Sequence, residues 1–273
     1  MAGFNARCLL VWSIAICCLS PPGYSAEKKK GNQASDASPP SSDQVAETRE
    51  SITKLLAHLD QSGQALSRVE GYTAAFLKQE ATDKKLQDPE SISLKIRHRP
   101  FSVYMKWEES GQEVLFVEGK NDGKLLAKPT GLASLVGTVR LDPDSKDAMR
   151  NSRYPITEAG IGRLVARIKK FYSQFENPGE ILTCRYSEQK SGEAPIDVFE
   201  IVFRDEKESP DYQSSRLVFD QKSKILVSVE NFGWPRKEGK DPQVVERYQF
   251  QQLNFGANLT DTDFDEKNPD YKF

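Results

Sequence analysis

The sequence predicts a mainly β protein of the α+β class, built as a single large curved antiparallel sheet with helices covering its concave face. Three observations lead to this prediction. About ten segments alternate apolar and polar residues with the two-residue period of a strand. Many of them are joined by turns too short for a parallel crossover, so neighbouring strands must be antiparallel. Only two segments show a helical period, and strands and helices do not alternate as in a βαβ protein.

The N-terminal residues 1–26 are typical of a secretory signal peptide. Arg7 precedes the apolar run Cys8–Leu19, which is too short for an ordinary transmembrane helix, and small residues suited to cleavage follow it. We therefore expect an exported protein, periplasmic or secreted, with no stable membrane insertion after cleavage. The alternatives are an uncleaved anchor and a lipid anchor at Cys17 or Cys18.

A linker and a first helix come next. Residues 27–43 are charged and rich in Ser, Ala and Pro, with no aliphatic residue larger than alanine, which predicts a disordered linker. Residues 44–273 are then one domain. Its first helix begins near Ser42 or Asp43, with Gly63 as a candidate interruption. The helical spacing rests on Ile52, Leu55, Leu56, Leu59, Leu66 and Val69.

The strands that follow are predicted from alternation and turn chemistry. Tyr72–Glu80 is the first strand. Ser91–Lys128 then contains four, interrupted by Pro100, by a turn ending at Gly111 and by a turn ending at Gly123. This β-meander contains no catalytic motif. Later strands are predicted at Ile181–Gln189, Asp197–Arg204, Ser215–Asp220, Ile225–Phe232 and Gln243–Leu253.

Two segments separate these groups of strands. Pro129–Arg153 is irregular and is predicted to be a packed loop whose apolar residues are buried, namely Leu132, Leu135, Val136, Val139 and Leu141. Its acidic residues lack the glycine and the terminal glutamate of a calcium-binding EF-hand loop, so a solvated turn is favoured. Thr157–Glu176 is predicted to be an amphipathic helix capped by Thr157 and ended by Asn177. Its apolar face requires cover, and the sheet has the matching area.

Composition limits the function classes. The chain has 38 Lys and Arg against 40 Asp and Glu, a formal charge of −2, which argues against a nucleic-acid partner. With only His58 and His98, neither a multi-histidine metal site nor histidine catalysis is expected. We expect no cofactor. Cys184 is the one cysteine outside the signal region, and its strand context favours a small core residue over a nucleophile.

No catalytic signature is present, so we expect a protein that is not an enzyme. A hydrolase using carboxylates such as Glu108, Glu109 or Glu200 is a weaker alternative, because nothing in the sequence pairs two of them. Aromatic residues recur on the predicted strands. They indicate either a filled core or an apolar cavity between a curved sheet and the helices, which would hold an acyl chain.

Several segments resemble those of a known family. The run Val69–Phe76, the Arg99-Pro100 pair, Asp122–Pro129 and Asn258–Phe264 resemble the periplasmic lipoprotein carrier LolA and its relatives. The longer run from Val45 to Phe273 is similar to a bacterial exported family of unknown function, DUF1571. The resemblance implies a half-barrel with helices on its concave side, a periplasmic location and binding of lipid-linked acyl chains.

The resemblance also implies site residues. Arg99 matches the arginine that holds the helical lid in the carriers, whereas Val103 stands where they have a cavity-lining aromatic residue. Together with the strand and helix patterns, this gives ten expected cavity residues: Arg99, Val103, Met105, Trp107, Phe116, Ile161, Leu164, Ile168, Phe199 and Phe203. The first hypothesis is a binder of lipid or lipoprotein acyl chains. The alternative is an envelope protein-interaction or stress-sensor module with no small ligand, since relatives on this fold act as sensors.

Overall fold

The computed structural model describes residues 39–83, 85–236 and 241–273, apart from the side chains of residues 132 and 133. The predicted signal peptide, 1–26, and residues 27–38 of the predicted linker lie outside this range. Helix α1 spans Ser42–Ser67 and starts with a capping box between Ser41 and Gln44, so the helix begins two residues before the predicted domain boundary. It continues through Gly63 without interruption.

The strands agree closely with the sequence prediction. The predicted strands all occur, and two short strands, β2 and β7, were not predicted. The bounds are β1 Gly71–Thr82, β2 Lys85–Leu86, β3 Glu90–His98, β4 Phe101–Trp107, β5 Glu113–Val117, β6 Leu125–Lys128, β7 Val139–Leu141, β8 Leu182–Ser191, β9 Ala194–Phe203, β10 Ser214–Asp220, β11 Leu226–Phe232 and β12 Val244–Asn254.

These twelve strands of the described residues form one antiparallel sheet in the order β7-β6-β5-β4-β3-β1-β12-β11-β10-β9-β8, with β2 paired to β1. The sheet is curved and does not close, because β7 and β8 stand at opposite ends of this order. The predicted fold class is thereby confirmed. Two meanders meet in the middle, where β1 pairs with β12. The first long strand and the last strand are therefore neighbours at the centre of the sheet.

The concave face carries the main core. Helix α1 packs on the β8–β11 half through Ile52, Leu55 and Leu59, which are at most 4 % exposed. Along the strands, alternate residues point inward, as the two-residue period requires. At the centre, Phe76 of β1 is opposite Phe250 of β12, and their rings stack with centroids 4.8 Å apart.

The second helix differs from its prediction. Helix α2 spans Ile161–Tyr172 with Gly160 at its N-cap, whereas Thr157 lies in a 3₁₀ turn, so the predicted cap and the predicted span were wrong. The reason is a distant contact: the Tyr72 hydroxyl accepts a 2.8 Å hydrogen bond from the Ile161 amide. A short helix, α3, spans Pro178–Ile181 where the prediction only ended a helix.

The segment between β6 and α2 is also less buried than predicted. A 3₁₀ helix covers Gly131–Val136, and within it Leu135 is 87 % exposed and Val136 is 69 % exposed. Val139 and Leu141 form β7 and are half-buried. The apolar character of this segment was correctly noted, but the expected burial of Leu135 and Val136 was wrong.

The C-terminal segment covers the convex face of the N-terminal meander. Phe264 is buried there, and the ring of Tyr271 stacks on Tyr104 of β4 at 3.9 Å. Lys95 of β3 forms a 2.7 Å ion pair with Asp263. In the described part of the chain, no helix has the length and apolar character needed to cross a membrane.

Candidate ligand cavity

A cavity of about 530 Å³ lies on the concave face of the N-terminal half of the sheet. Its floor is formed by β1, β3–β6 and β12, and its opposite wall by residues 147–160 and one face of α2. Its volume falls in the range of about 300–1,000 Å³ typical of small-molecule sites. Helix α1 packs over the other half of the sheet, where it contacts β8.

The floor of the cavity is apolar. The inward positions of neighbouring strands are in register, so Ile92 is opposite both Phe76 and Trp107, and Met105 is opposite Val114. All five side chains line the cavity. The floor is therefore a continuous apolar surface across four strands, a surface suited to a hydrocarbon chain.

The wall formed by residues 147–160 is held to the sheet by polar side chains of β1. Lys78 donates to the Asn151 carbonyl and to the Ser152 hydroxyl, both at 3.1 Å. Two residues further along β1, the Glu80 carboxylate accepts a 2.9 Å hydrogen bond from the Arg153 amide. These contacts satisfy backbone groups in a segment with little regular structure of its own.

Glu246 of β12 is the centre of a buried polar cluster beneath this wall. Its carboxylate accepts hydrogen bonds from Asn231 at 2.6 Å and from the Tyr212 hydroxyl at 3.2 Å, and Arg153 Nε lies 3.2 Å away. The Tyr248 hydroxyl donates to Glu80 and lies 3.3 Å from Glu246. Two buried carboxylates on adjacent strands are thus compensated by the protein's own donors and cations.

The pKa values of the cluster reflect these charges. Burial, together with the negative charge of Glu246, raises the pKa of the Tyr212 and Tyr248 hydroxyls well above the usual range. Burial opposes the charge of Arg153, yet nearby Tyr212 and Glu246 raise its pKa overall. The tyrosines therefore stay protonated and act as hydrogen-bond donors at any physiological pH.

Three of the ten predicted cavity residues line this cavity: Met105, Trp107 and Leu164. Arg99 is exposed at the turn between β3 and β4 and does not line it. The other six are buried in the packed core, namely Val103, Phe116, Ile161, Ile168, Phe199 and Phe203. A two-residue period identifies the inward face of a strand but does not distinguish core from cavity, and ligand contact by any of the ten stays a prediction.

Arg99, the arginine expected to hold a lid, is exposed, whereas the nearby Arg97 is buried. Arg97, two residues before Arg99, donates to the Ser102 hydroxyl and pairs with Asp261 at 2.6 Å. These contacts tie the C-terminal segment to the convex face. The position that matched the carriers therefore makes no cavity wall here.

Two other residues singled out by sequence have structural roles. Cys184 is 2 % exposed, and burial raises its pKa to about 12, so the expected core role is confirmed. His58 of α1 lies beside the apolar face, with Nε2 3.1 Å from the Asp197 carboxylate and its ring against Phe199 and Phe219. It thereby links α1 to β9.

In the described ranges, no group of three or more His, Cys, Asp or Glu side chains could hold a metal ion. Asp142, Asp144 and Asp147, considered above as a calcium site, are exposed. Among the carboxylates considered for hydrolysis, Glu200 is exposed on β9, and Glu108 accepts a hydrogen bond from Ser93. Neither lines the cavity.

Sequence reasoning missed three polar residues that line the cavity, Lys78, Glu80 and Tyr248, and Glu246 beneath its wall. Lys78 and Glu80 continue the inward register of Phe76 on β1, and Glu246 and Tyr248 do the same for Phe250 on β12. Charged residues at inward positions of two strands were a usable signal, because a buried charge requires a partner.

The family model described as "Protein of unknown function (DUF1571)" matches residues 69–273, which contain all twelve strands and the whole cavity floor. The chain belongs to the DUF1571 family. No curated protein matches it in sequence.

Solved structures with similar folds include MucB, at 16 % identity and a TM-score of 0.41, covering 84 % of this chain and 64 % of that one. The mycobacterial lipoprotein LppX, from Mycobacterium tuberculosis, matches at 12 % identity and a TM-score of 0.43, covering 76 % of this chain and 99 % of that one. A LolA superfamily protein from Nitrosomonas europaea has 11 % identity and a TM-score of 0.32, covering 77 % and 96 %. The DUF1571 chain thus spans less than two thirds of the MucB structure, and at these scores the likenesses carry no argument about function.

Proposed function

We propose that this DUF1571 protein is a non-enzymatic, exported protein that binds the acyl chain of a lipid or lipoprotein. The observation that carries the proposal is the cavity of about 530 Å³, whose floor is apolar across β1, β3, β4 and β5. An apolar chain that enters it removes its own surface and that of the floor from water, which favours binding. Val136 lines the cavity and is 69 % exposed, so the cavity lining continues to the protein surface at this residue.

The polar cluster supports binding over catalysis. A general acid and base must reach a substrate, within hydrogen-bond distance of the proton they transfer. Glu246 is 2 % exposed, does not line the cavity and is occupied by Tyr212 and Arg153. Glu80 lines the cavity but is 4 % exposed, and its carboxylate accepts hydrogen bonds from the Tyr248 hydroxyl and the Arg153 amide. Their arrangement holds the cavity wall in place.

The direct test is analysis of the protein purified from its native compartment under non-denaturing conditions. Organic extraction followed by mass spectrometry is expected to release an acyl lipid in near-stoichiometric amount. Protein that is consistently free of lipid, and that does not take up a fluorescent fatty acid when one is supplied, would overturn the proposal.

A cavity-filling variant provides a second test. Ala127 lines the cavity from β6, whereas its neighbour Lys128 points to the opposite face of the strand. Ala127→Trp should reduce lipid occupancy at least about tenfold, because the indole occupies the volume of the chain. Lys128→Trp adds a similar bulk outside the cavity and should leave occupancy unchanged. Equal occupancy in both variants would argue that the lipid binds elsewhere.

Export itself is part of the proposal. Residues 1–26 would direct the chain out of the cytoplasm and would be removed. N-terminal sequencing of the protein recovered from the periplasm or medium should begin near Glu27. A chain that retains Met1, or that carries a lipid on Cys17 or Cys18, would contradict this.

A second candidate function rests on the exposed pair Leu135 and Val136. Large apolar side chains at 87 % and 69 % exposure favour contact with another molecule, and an envelope protein would bury them. Leu135→Asp should then abolish co-purification of one envelope protein without changing lipid content. Loss of lipid together with retained partner binding would instead favour the carrier function.

A further inference from the structure

We infer that the cavity selects amphiphiles with an anionic head group, a carboxylate or a phosphate, and that Arg167 binds this group. The inference rests on the proposed acyl-chain function and adds the chemistry of the head group. It is drawn from the contacts of Arg167 on α2, from the pairing of the other cations around the cavity, and from the position of Arg167 relative to the apolar floor.

Arg167 is held at the cavity wall by an aromatic ring. Its guanidinium lies over the ring of Tyr154 with the central carbon 3.7 Å from the ring centroid, and its side chain is 27 % exposed. Leu164, three residues earlier on α2, lines the same cavity, so one face of the helix presents both residues to it. Stacking covers one face of the guanidinium and fixes its plane, and its N–H groups point outward in that plane, with Nη1 directed toward Glu158.

The other cations that line the cavity are paired with carboxylates. Lys78 lies 3.1 Å from Glu90, and Arg150 lies 2.8 Å from Asp147. Across the described residues, Arg167 has a single carboxylate neighbour, Glu158, at 3.9 Å. That distance is too long for a hydrogen bond. Nη1 of Arg167 is shielded from water and has no hydrogen-bond acceptor within the described chain.

An anion would complete this arrangement. A buried N–H without an acceptor is unfavourable, and an anion that displaces Glu158 would reach Nη1 and supply that acceptor. Guanidinium binds carboxylate and phosphate through two parallel hydrogen bonds. Glu158 is 41 % exposed, so it can turn toward water when a ligand anion arrives. A neutral head group carries no negative charge that could replace that of Glu158 beside Arg167. Glu158 therefore competes with the ligand, and removing its charge should strengthen binding.

The positions of these residues also predict the orientation of the ligand in the cavity. Met105 and Trp107 lie on the sheet side of the cavity, and Arg167 lies on the helix side. The acyl chain would lie along the sheet, with the head group against α2. A carboxylate head would indicate a free fatty acid, and a phosphate head would indicate a phospholipid or another alkyl phosphate.

The test compares three probes of equal chain length: hexadecanoic acid, hexadecanol and hexadecyl phosphate, titrated into the delipidated full-length mature protein at fixed salt. At least one of the two anions should bind about tenfold more tightly than the alcohol. Arg167→Met should remove that preference. Glu158→Gln should strengthen anion binding several-fold while leaving the alcohol unchanged. The tighter of the two anions identifies the head group.

Arg163 gives a matched control, because it lies one turn earlier on α2, also covers an aromatic ring, at 4.9 Å from Phe101, and does not line the cavity. Arg163→Met should keep the anion preference. If acid, phosphate and alcohol bind equally, or if Glu158→Gln weakens anion binding, the head-group inference is wrong and the acyl-chain function stands. If no probe binds the wild-type protein, the proposed function fails together with the inference. Glu158→Gln remains informative even if Arg167→Met does not fold.

Discussion

Replacement of Arg153 by methionine should destabilise the fold far more than the same replacement of Arg150, three residues earlier in the same segment. Arg153 is a quarter exposed and lies 3.2 Å from Glu246, whose side chain is 3 % exposed. Arg150 pairs with Asp147 at 2.8 Å, but these two side chains are 75 % and 68 % exposed. The two pairs thus differ mainly in burial.

The magnitude follows from that difference. Removing one partner of a buried ion pair typically costs about 3–5 kcal/mol, because the remaining charge has no compensation. Glu246 keeps its hydrogen bonds from Asn231 and Tyr212, and Arg153 is partly hydrated, so we expect the free energy of unfolding to fall by about 2–4 kcal/mol. In a domain of this size, that corresponds to a decrease in Tm of roughly 4–16 °C. Arg150→Met should cost less than about 1 kcal/mol.

The assay is urea unfolding followed by tryptophan fluorescence and circular dichroism. Arg153→Met combined with Glu246→Gln should be more stable than Arg153→Met alone, because the double variant leaves no uncompensated charge. Similar losses for Arg153→Met and Arg150→Met, or no recovery in the double variant, would refute the assignment of Glu246 as the centre of the buried cluster.

Three further predictions concern single positions, each read by the same unfolding measurement unless stated. Gly160→Ala should lower the free energy of unfolding by about 1–3 kcal/mol, because Gly160 has φ +90 and an added Cβ would lie 2.9 Å from the Tyr72 hydroxyl. Gly63 lies in open space within α1, so Gly63→Ala should raise the free energy of unfolding by about 0.5–1 kcal/mol. The reverse order of stability would contradict the structure. Burial alone would raise the pKa of Asp197, but hydrogen bonds from Tyr186, Gln221 and His58 lower it below its usual 3.8. The Asp197 carboxylate therefore stabilises the fold above pH 3.8, and this stabilisation is lost as the pH falls through the lowered pKa. Asp197→Asn should therefore be less stable than wild type at neutral pH and lose less stability on acidification, and parallel pH profiles would disprove this. Cys184 should react with a thiol reagent only at the rate of unfolding, and rapid labelling of the native protein would show that it is accessible.

Local patterns were sufficient to predict most of the sheet. Strand β4 is predicted from the alternation of Phe101–Trp107 alone, and its bounds agree with the structure. Alternation follows from the geometry of the strand itself, so it requires no knowledge of the partner strands. Turns with Gly111 and Gly123 similarly identify where the chain reverses.

The failures depend on contacts between distant parts of the chain. Thr157 has the residue type of a helix cap, but the Tyr72 hydroxyl binds the first turn of α2 and moves its start to Ile161. Likewise, Phe116 and Met105 have the same pattern on adjacent strands, yet only Met105 lines the cavity. The difference depends on whether another part of the chain packs over the residue, and a strand pattern gives no information about that packing.

The pairing of β1 with β12 has a consequence for how the chain reaches its native state. Glu80 and Tyr248 are in contact although they are 168 residues apart in sequence. During synthesis the first meander is complete long before β12, the strand that pairs with β1, has been made. Contacts between residues so far apart in sequence form slowly. For the exported protein proposed above, this delay would favour crossing a membrane before folding, because the centre of the sheet cannot assemble until β12 has emerged.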